Sequence, residues 1–349
     1  MLKPGYITFF YRCKAWIKQA LESGEHFALA HQLSPLAMRY PSPLMNSNIP
    51  YIMGPLGGSF NVPDAFKGEI AEPWYVKMRN FDQYRFLYDP WLKATYTKAQ
   101  CVLGVAPYVQ SHLNHLPLKS FHLMSEIGFT DLPEVIAQES LSQETQSSET
   151  HQVHATKKLN LLYVGRVIRT KGLIYLLKAL KELLGQEVKE NRLDFHLHIA
   201  GVGLDLDLCK SYAEENELAQ KTTFYGQIPL EQVWMLYRNA DLFILPSIRE
   251  PSGNAVLEAM SFGVPVICSD LGGPGYSVSD EVGIKVPSPS PMELVKGLKE
   301  ALLNLSRDPE IIYKMGQAAR KSIQEKYLWQ HKTLWLKNEY MKIITDNPV

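Results

Sequence analysis

The sequence predicts an α/β chain of two Rossmann-like units, the first less complete than the second. Three observations carry this expectation. With 349 residues, the chain exceeds the roughly 100–200 residues that one domain usually holds. Short runs of β-branched and aromatic residues alternate with segments of helical spacing, the pattern of a parallel sheet with helices on both faces. Between the halves, residues 133–157 read PEVIAQESLSQETQSSETHQVHATK, a stretch without an aromatic residue that cannot bury enough apolar surface to offset its ordering entropy. The predicted division is an N-terminal unit over 1–132, a polar linker over 133–157, a C-terminal unit over 158–328 and a last helix over 329–349.

The N-terminal unit opens with a helix around 9–22, on which Phe9, Cys13, Trp16, Ile17 and Ala20 share one face. Strands are predicted at FALAH (27–31), PYIMG (50–54), CVLGVA (101–106) and FHLM (121–124), with a helix over 84–99. In the C-terminal unit the strands are LNLLYVG (159–165), FHLHIAG (195–201), TTFYG (222–226), DLFILP (241–246) and PVICS (265–269). They are apolar at nearly every position, as strands buried on both faces are. Leu173, Leu176, Leu177 and Leu180 mark one intervening helix, and Val233, Leu236 and Tyr237 another. Three helices follow Val286: Met292–Leu305, Asp308–Tyr327, and one containing Trp329, Trp335 and Tyr340. The last is expected to cross back onto the N-terminal unit, since its aromatic face would otherwise be a bare apolar patch.

Thirty-six basic and 36 acidic side chains cancel, which removes the case for nucleic-acid binding through overall charge. The balance is uneven along the chain. Residues 1–120 hold 12 Lys/Arg against 7 Asp/Glu, whereas 121–156 hold six acids and no Lys or Arg. Cys13, Cys101, Cys209 and Cys268 form no C-x-x-C pair, so neither a zinc motif, a redox motif nor a disulfide framework is predicted. No apolar run reaches the ~18 residues of a membrane span, and MLKPGYITFFYRCK is not a signal peptide. The expected location is cytoplasmic. In the first helix Lys14 and Lys18 accompany Phe9, Phe10 and Trp16, a pattern shared by helices that lie on anionic lipid and by core helices covering a sheet.

The chemistry concentrates in DLFILPSIREPSGNAVLEAMSFGVPVICSD, residues 241–270. A buried strand ends at Leu245, a loop carries Glu250 to Gly253, and a helix opens at Asn254, the predicted N-cap. Gly253 lets the backbone approach a ligand, and free N–H groups at a helix start attract an anion. Glu250 and Glu258 flank that position, two carboxylates suited to hydrogen bonds with sugar hydroxyls. A second group follows the strand 159–165: Gly165 and Arg166, then Lys171 and Gly172. Two cations there suit a diphosphate and the charge it develops as it leaves. No G-x-G-x-x-G follows a first strand with an acid about 20 residues on, which disfavours a nicotinamide enzyme.

In this order, YVGRVIRTKG (163–172), HIAGVG (198–203), FYGQIP (224–229), EPSGNAVLE (250–258) and AMSFGVPVICSDLGGPG (259–275) resemble glycosyltransferase family 4, the retaining nucleotide-sugar transferases of GT-B fold. The resemblance implies two Rossmann-like domains facing each other across a cleft, a nucleoside-diphosphate sugar as donor and no obligatory metal or other cofactor. It implies that Arg166 and Lys171 bind the donor diphosphate and that Glu258 holds the ribose hydroxyls. Glu250, with the backbone of Gly253, Asn254 and Ala255, would contact sugar and phosphate; the backbone at Gln227 and Ile228 would face the base. A hexose would pass to a saccharide or lipid-linked acceptor, in the setting of cell-surface polysaccharide or lipopolysaccharide assembly.

The N-terminal half is similar to family members with a Gly-Pro-x-Gly-Gly loop, here Gly54-Pro55-Leu56-Gly57-Gly58 after the strand 50–54, with HQLSPLAMRYPSPL (31–44) and EIG (126–128) in the same pattern. Gly57 and Gly58 either let the backbone touch the transferred sugar or phosphate, or serve a tight turn that needs φ > 0. The family's strand-end histidine matches either His31 or the position of Leu33, and a structural histidine is the other reading of His31. The family's opening strand and glycine-rich loop have no counterpart here. The resemblance therefore implies an N-terminal domain lacking its first strands, with a chain that keeps only the donor-binding half as the alternative.

Overall fold

The computed structural model describes residues 4–70, 81–133, 158–185 and 193–347, so the predicted linker lies outside the described residues except for Pro133. Two compact units divide the chain. One comprises the described residues up to Asn61, from Phe81 to Thr130 and from Lys326 onward; the other comprises Val62–Ile70 and the described residues from Asp131 to Glu325.

The first unit is built on a four-stranded parallel sheet in sequential order: β1 (Ala30–Gln32), β2 (Tyr51–Leu56), β3 (Cys101–Gly104) and β4 (Phe121–Leu123). Its helices are α1 (Pro4–Glu22), α2 (Asp82–Tyr88), α3 (Pro90–Lys98) and α4 (Pro107–Leu113). The predicted helix over 84–99 is broken at Asp89, whose carboxylate accepts from the Trp91 and Leu92 amides and caps α3 while Pro90 starts it. One face of the sheet packs Met53 and Val102 with Leu92, Tyr96 and Val109. On the other, Ile52, Cys101 and Leu103 meet Ile343, Trp335 and Tyr340 of the last helix, Trp329–Asp346. On α1 the buried residues are Tyr6, Phe10 and Ala20; Phe9 and Trp16 of the predicted face are exposed. The helix is turned so that Phe10 stacks on Trp91 at 5.5 Å, and the Tyr6 hydroxyl donates to the Pro41 carbonyl.

The second unit carries six parallel strands: β5 (Leu159–Val164), β6 (Phe195–Ala200), β7 (Thr222–Gly226), β8 (Leu242–Leu245), β9 (Val266–Ser269) and β10 (Gly283–Val286). Their helices are α5 (Leu173–Leu184), α6 (Leu206–Glu215), α7 (Leu230–Asn239), α8 (Asn254–Ser261), α9 (Gly272–Ser277), α10 (Pro291–Ser306) and α11 (Pro309–Lys326); the last helix of the chain is α12. The edge strand β10 escapes the sequence reading because Gly283 and Lys285 interrupt its four residues; Gly283 is needed, since a Cβ there would meet the Val266 carbonyl at 2.0 Å. In space the order is β10-β9-β8-β5-β6-β7. The chain thus winds outward from β5 to β7, returns to the other side of β5 and winds outward again to β10. The switch point falls between β5 and β8, where ligands of open α/β sheets bind beyond the carboxyl ends of the strands.

The division into units departs from the predicted bounds by two or three residues at Asp131 and Lys326, and by a whole segment elsewhere. Val62–Ile70 belongs to the second unit: Phe66 is fully buried and meets Tyr175 edge-on at 5.6 Å, and the Tyr175 hydroxyl donates to Glu69 at 2.7 Å.

Candidate nucleotide-sugar site

All six strands of the second sheet run the same way, so the segments after β5, β6, β7, β8 and β9 gather at one edge. Those after β5 and β8 flank the switch point, and each carries part of the predicted site. After β5, Gly165 has φ 152° and its amide donates to the Ala200 carbonyl. The buried Tyr163 hydroxyl donates to the Arg166 carbonyl at 3.0 Å and fixes the start of the loop. The Arg166 side chain is exposed. A single 3₁₀ turn, Arg169–Lys171, then ends at Gly172, which is left-handed at φ 77° and opens α5. A Cβ at Gly172 would stand 2.0 Å from the Pro246 carbonyl oxygen. The loops after β5 and β8 therefore touch backbone to backbone.

Hydrogen bonds hold them there. The Ser247 hydroxyl and the Ile248 amide both donate to the Thr170 carbonyl, at 2.9 and 3.0 Å, and the Ser269 hydroxyl donates to the Ser247 carbonyl. This stitching brings together two residues 79 positions apart: Lys171 Nζ donates to Glu250 Oε2 in a largely buried ion pair. The other oxygen of Glu250 accepts from the Gly253 amide at 3.3 Å, and its carbonyl accepts from the Gly273 amide. Burial lowers Lys171 to about 8, the Arg166 cation pushing the same way.

The N-cap of α8 is Gly253, not the predicted Asn254. Gly253 is left-handed at φ 79° and no side chain caps the helix; Asn254 is its first residue. The reason is steric: a Cβ at Gly253 would lie 3.0 Å from the Pro274 ring, and one at Gly273 would lie 2.3 Å from Ser252 backbone atoms. The loop 250–253 is pressed against the start of α9, and only the glycine conformation turns the chain there. The amides of Asn254 and Ala255 stand in the first turn of α8, among the orphan donors of a helix start.

Glu258 lies one turn further along α8. Its carboxyl accepts from the Tyr237 hydroxyl at 3.2 Å, and burial raises its pKa. Tyr237 is fully buried, stacks on Phe262 at 5.4 Å and is also within 3.3 Å of the Ala255 carbonyl. The sequence reading placed Tyr237 only on the apolar face of α7. Its signal as a site residue was a hydroxyl on an otherwise apolar stripe.

The remaining predicted residues of this unit follow β7. Gly226 is left-handed at φ 67° and its carbonyl accepts from the Gly201 amide; beyond it Gln227 is exposed and Ile228 half-buried. Gly201 and Gly203 are required by close approach, since their Cβ atoms would lie 1.9 Å from the Gly165 carbonyl and 2.2 Å from the Val167 carbonyl. Gly165, Gln227 and Ile228 thus stand on loops braced against one another at the sheet edge that carries Lys171, Glu250 and Glu258.

His31, Gly57 and Gly58 belong to the first unit. His31 lies within β1; its Nε2 donates to the Gly54 carbonyl at 2.8 Å and its Nδ1 accepts from the Tyr340 hydroxyl at 2.5 Å. Burial lowers its pKa, consistent with a neutral ring held at both nitrogens. Leu33, the other match, is exposed. The strand β2 runs on through the predicted loop to Leu56, with a cis Gly54–Pro55 bond. Both backbone groups of Gly57 pair with the segment 36–38, and Gly58, left-handed at φ 82°, donates to the Tyr108 hydroxyl at 3.1 Å. The one group of three metal-ligating side chains among the described residues also lies in this unit, at Cys101, His122 and Glu339.

The chain is 31% identical over 176 residues to a glycogen synthase of Mycobacterium tuberculosis, half of this chain and 40% of that one. It spans about two fifths of the length of the curated relatives it matches. Among solved structures, a sucrose-phosphate synthase from Thermosynechococcus elongatus superposes with a TM-score of 0.65 at 20% identity, covering 97% of this chain and 79% of that one. A lipopolysaccharide outer core galactosyltransferase superposes with a TM-score of 0.63 at 16% identity, covering 97% and 80%. At such identities the likeness is one of fold, two parallel-sheet units of the GT-B kind over nearly the whole chain. Residues 145–322, half of the chain, match the model of the glycosyl transferases group 1, and the chain belongs to that family.

Proposed function

We propose that the chain is a retaining hexosyltransferase that uses a nucleoside-diphosphate sugar and passes the sugar to a saccharide or lipid-linked acceptor in cell-surface polysaccharide or lipopolysaccharide assembly. The observation that carries this reading is the meeting of Lys171, Glu250 and the Gly253 turn at the switch point of the second sheet. Arg166 and Lys171 would neutralise the diphosphate. The amides of Asn254 and Ala255 would take a phosphate oxygen, Glu250 the sugar, and Glu258, oriented by Tyr237, the ribose hydroxyls. Charge growing on the leaving diphosphate is what a preorganised pair of cations and helix-start amides stabilises.

The enzyme would work at the cytoplasmic face of the membrane. Exposed Phe9, Tyr11 and Trp16 share α1 with exposed Arg12, Lys14 and Lys18, which supports peripheral contact with anionic lipid. No helix among the described residues is long and apolar enough to cross a membrane. Binding to anionic liposomes at low salt tests this part; no affinity there would overturn it.

A hydrolysis screen across uridine, guanosine and adenosine diphosphate sugars tests the activity. One donor is expected to be turned over, and Glu258→Ala should lower its affinity at least tenfold. An unchanged rate and affinity in that variant would remove the ribose assignment. Donor binding without hydrolysis or transfer to any acceptor would instead favour a chain that keeps only the donor-binding half.

A further inference from the structure

Outside the nucleotide-sugar site, the first unit brings three unlike donor atoms to one place. Cys101 opens β3 and His122 lies on β4, where the register pairs Leu103 with His122. Cys101 is two residues before Leu103, so alternation along the strand puts its side chain on the same sheet face as those of Leu103 and His122. That face is covered by α12, whose inward row is Trp335, Glu339 and Ile343, each one turn from the next. Ile343 packs on Cys101 and Leu103, and the Trp335 ring meets the His122 ring edge-on at 4.8 Å. Glu339 is delivered between them.

One thiol sulfur, one imidazole nitrogen and one carboxylate oxygen therefore lie within 4.8 Å of one another. Three points so spaced fit a circle of radius 4.8/√3, so an ion at its centre would be no farther than about 2.8 Å from any of them. Zinc takes nitrogen and oxygen at about 2.0–2.2 Å and sulfur at about 2.3 Å, so a contraction of under ~1 Å, within reach of side-chain rotation, completes three bonds. A soft thiolate with an imidazole selects zinc-class ions over magnesium or calcium. We propose that Cys101, His122 and Glu339 form a zinc-binding site on the first unit, with water at the fourth position on the exposed His122 side.

Two features shape its chemistry. The Cys101 sulfur is buried and its thiol is pushed up to about 11, with Glu339 raising it and Ser120 and Lys342 lowering it. Zinc binding replaces the S–H proton, which leaves to solvent, so binding releases one proton and strengthens as pH rises. The site also ties α12 to β3 and to the edge strand β4 of its sheet. Zinc would therefore stabilise the first unit.

The test uses the full-length chain, stripped of metal and titrated with Co²⁺. A thiolate-to-cobalt charge-transfer band in the near ultraviolet is expected at one equivalent, bleached by one equivalent of Zn²⁺. Cys101→Ala should abolish it, and Glu339→Gln and His122→Ala should each weaken cobalt affinity at least tenfold. Zn²⁺ should raise the melting temperature of the unsubstituted chain but not of Glu339→Gln. If Cys101→Ala fails to fold, Glu339→Gln decides, because it is isosteric. No band with the folded chain, a band unchanged in Cys101→Ala, or wild-type affinity in Glu339→Gln overturns the site.

Discussion

At the scale of single residues, Lys171 carries the clearest pH signature. Its pKa of about 8 lies below the ordinary lysine value because burial disfavours the cation, with Arg166 adding to the effect. Raising the pH through about 8 discharges it and, under the proposed function, removes charge held for the diphosphate, whereas below that pH the cation is present. The kcat/KM for the donor, which reports the free enzyme, is expected to fall above pH 8. Lys171→Arg should move that alkaline limb upward, because a guanidinium stays charged, while lowering the plateau because its fork does not match the single contact to Glu250. A limb at the same pH in both proteins would assign the titration elsewhere. Tyr237 offers a second test. Tyr237→Phe keeps the ring stacked on Phe262 but removes the hydroxyl from Glu258 and Ala255. One such bond is worth about 1 kcal/mol, so donor affinity should drop about fivefold in a binding titration.

Among the elements, the loops after β5 and β6 depend on glycines where carbonyl groups press on the missing Cβ. Gly201→Ala would drive a methyl group to 1.9 Å from the Gly165 carbonyl at a φ of 143°, and the backbone there has no slack. A loss of about 3 kcal/mol or more is expected in urea unfolding, together with the loss of donor binding. Gly185→Ala is the matched control. It sits at the end of α5 with φ −77° and nothing nearer than 3.9 Å to a new Cβ, so it should be neutral or stabilising by up to ~1 kcal/mol. Equal effects of the two would contradict the close-approach explanation. These glycines were visible in the sequence as motif letters. Which carbonyl each one faces was not, since that depends on loops meeting from different strands.

For the molecule as a whole, the chain divides into two compact units, and α12 belongs to the first, where it packs on the sheet. Ile343→Ala removes the α12 residue that packs on Ile52, Cys101 and Leu103 and should cost about 2–5 kcal/mol in that unit. Hydrogen exchange is the measurement: amides of β2 and β3 should open faster, while β5 and β8 keep their protection. Uniform loss across both sheets would mean that the units do not unfold separately. Much of this organisation was legible in advance. Five of the six strands of the second sheet stand out as apolar runs, whereas β10, broken by Gly283 and Lys285, does not. The placement of Val62–Ile70 was also hidden, because Phe66 and Glu69 contact Tyr175 more than a hundred residues away.

The sequence alone determined the alternation of strands and helices, the family motifs in order, and the glutamate, lysine and glycine positions of the loops after β5 and β8. These are local properties: periodicity reports which face of an element is apolar, and a motif reports what one turn of backbone demands. Only the tertiary structure decided the strand order that creates the switch point, the ion pair of Lys171 with Glu250, the hold of Tyr237 on Glu258 and the neutral seat of His31 between Gly54 and Tyr340. Each joins residues 21 to 309 positions apart. Such pairs form because packing brings two faces together, and no single segment carries the information about its partner.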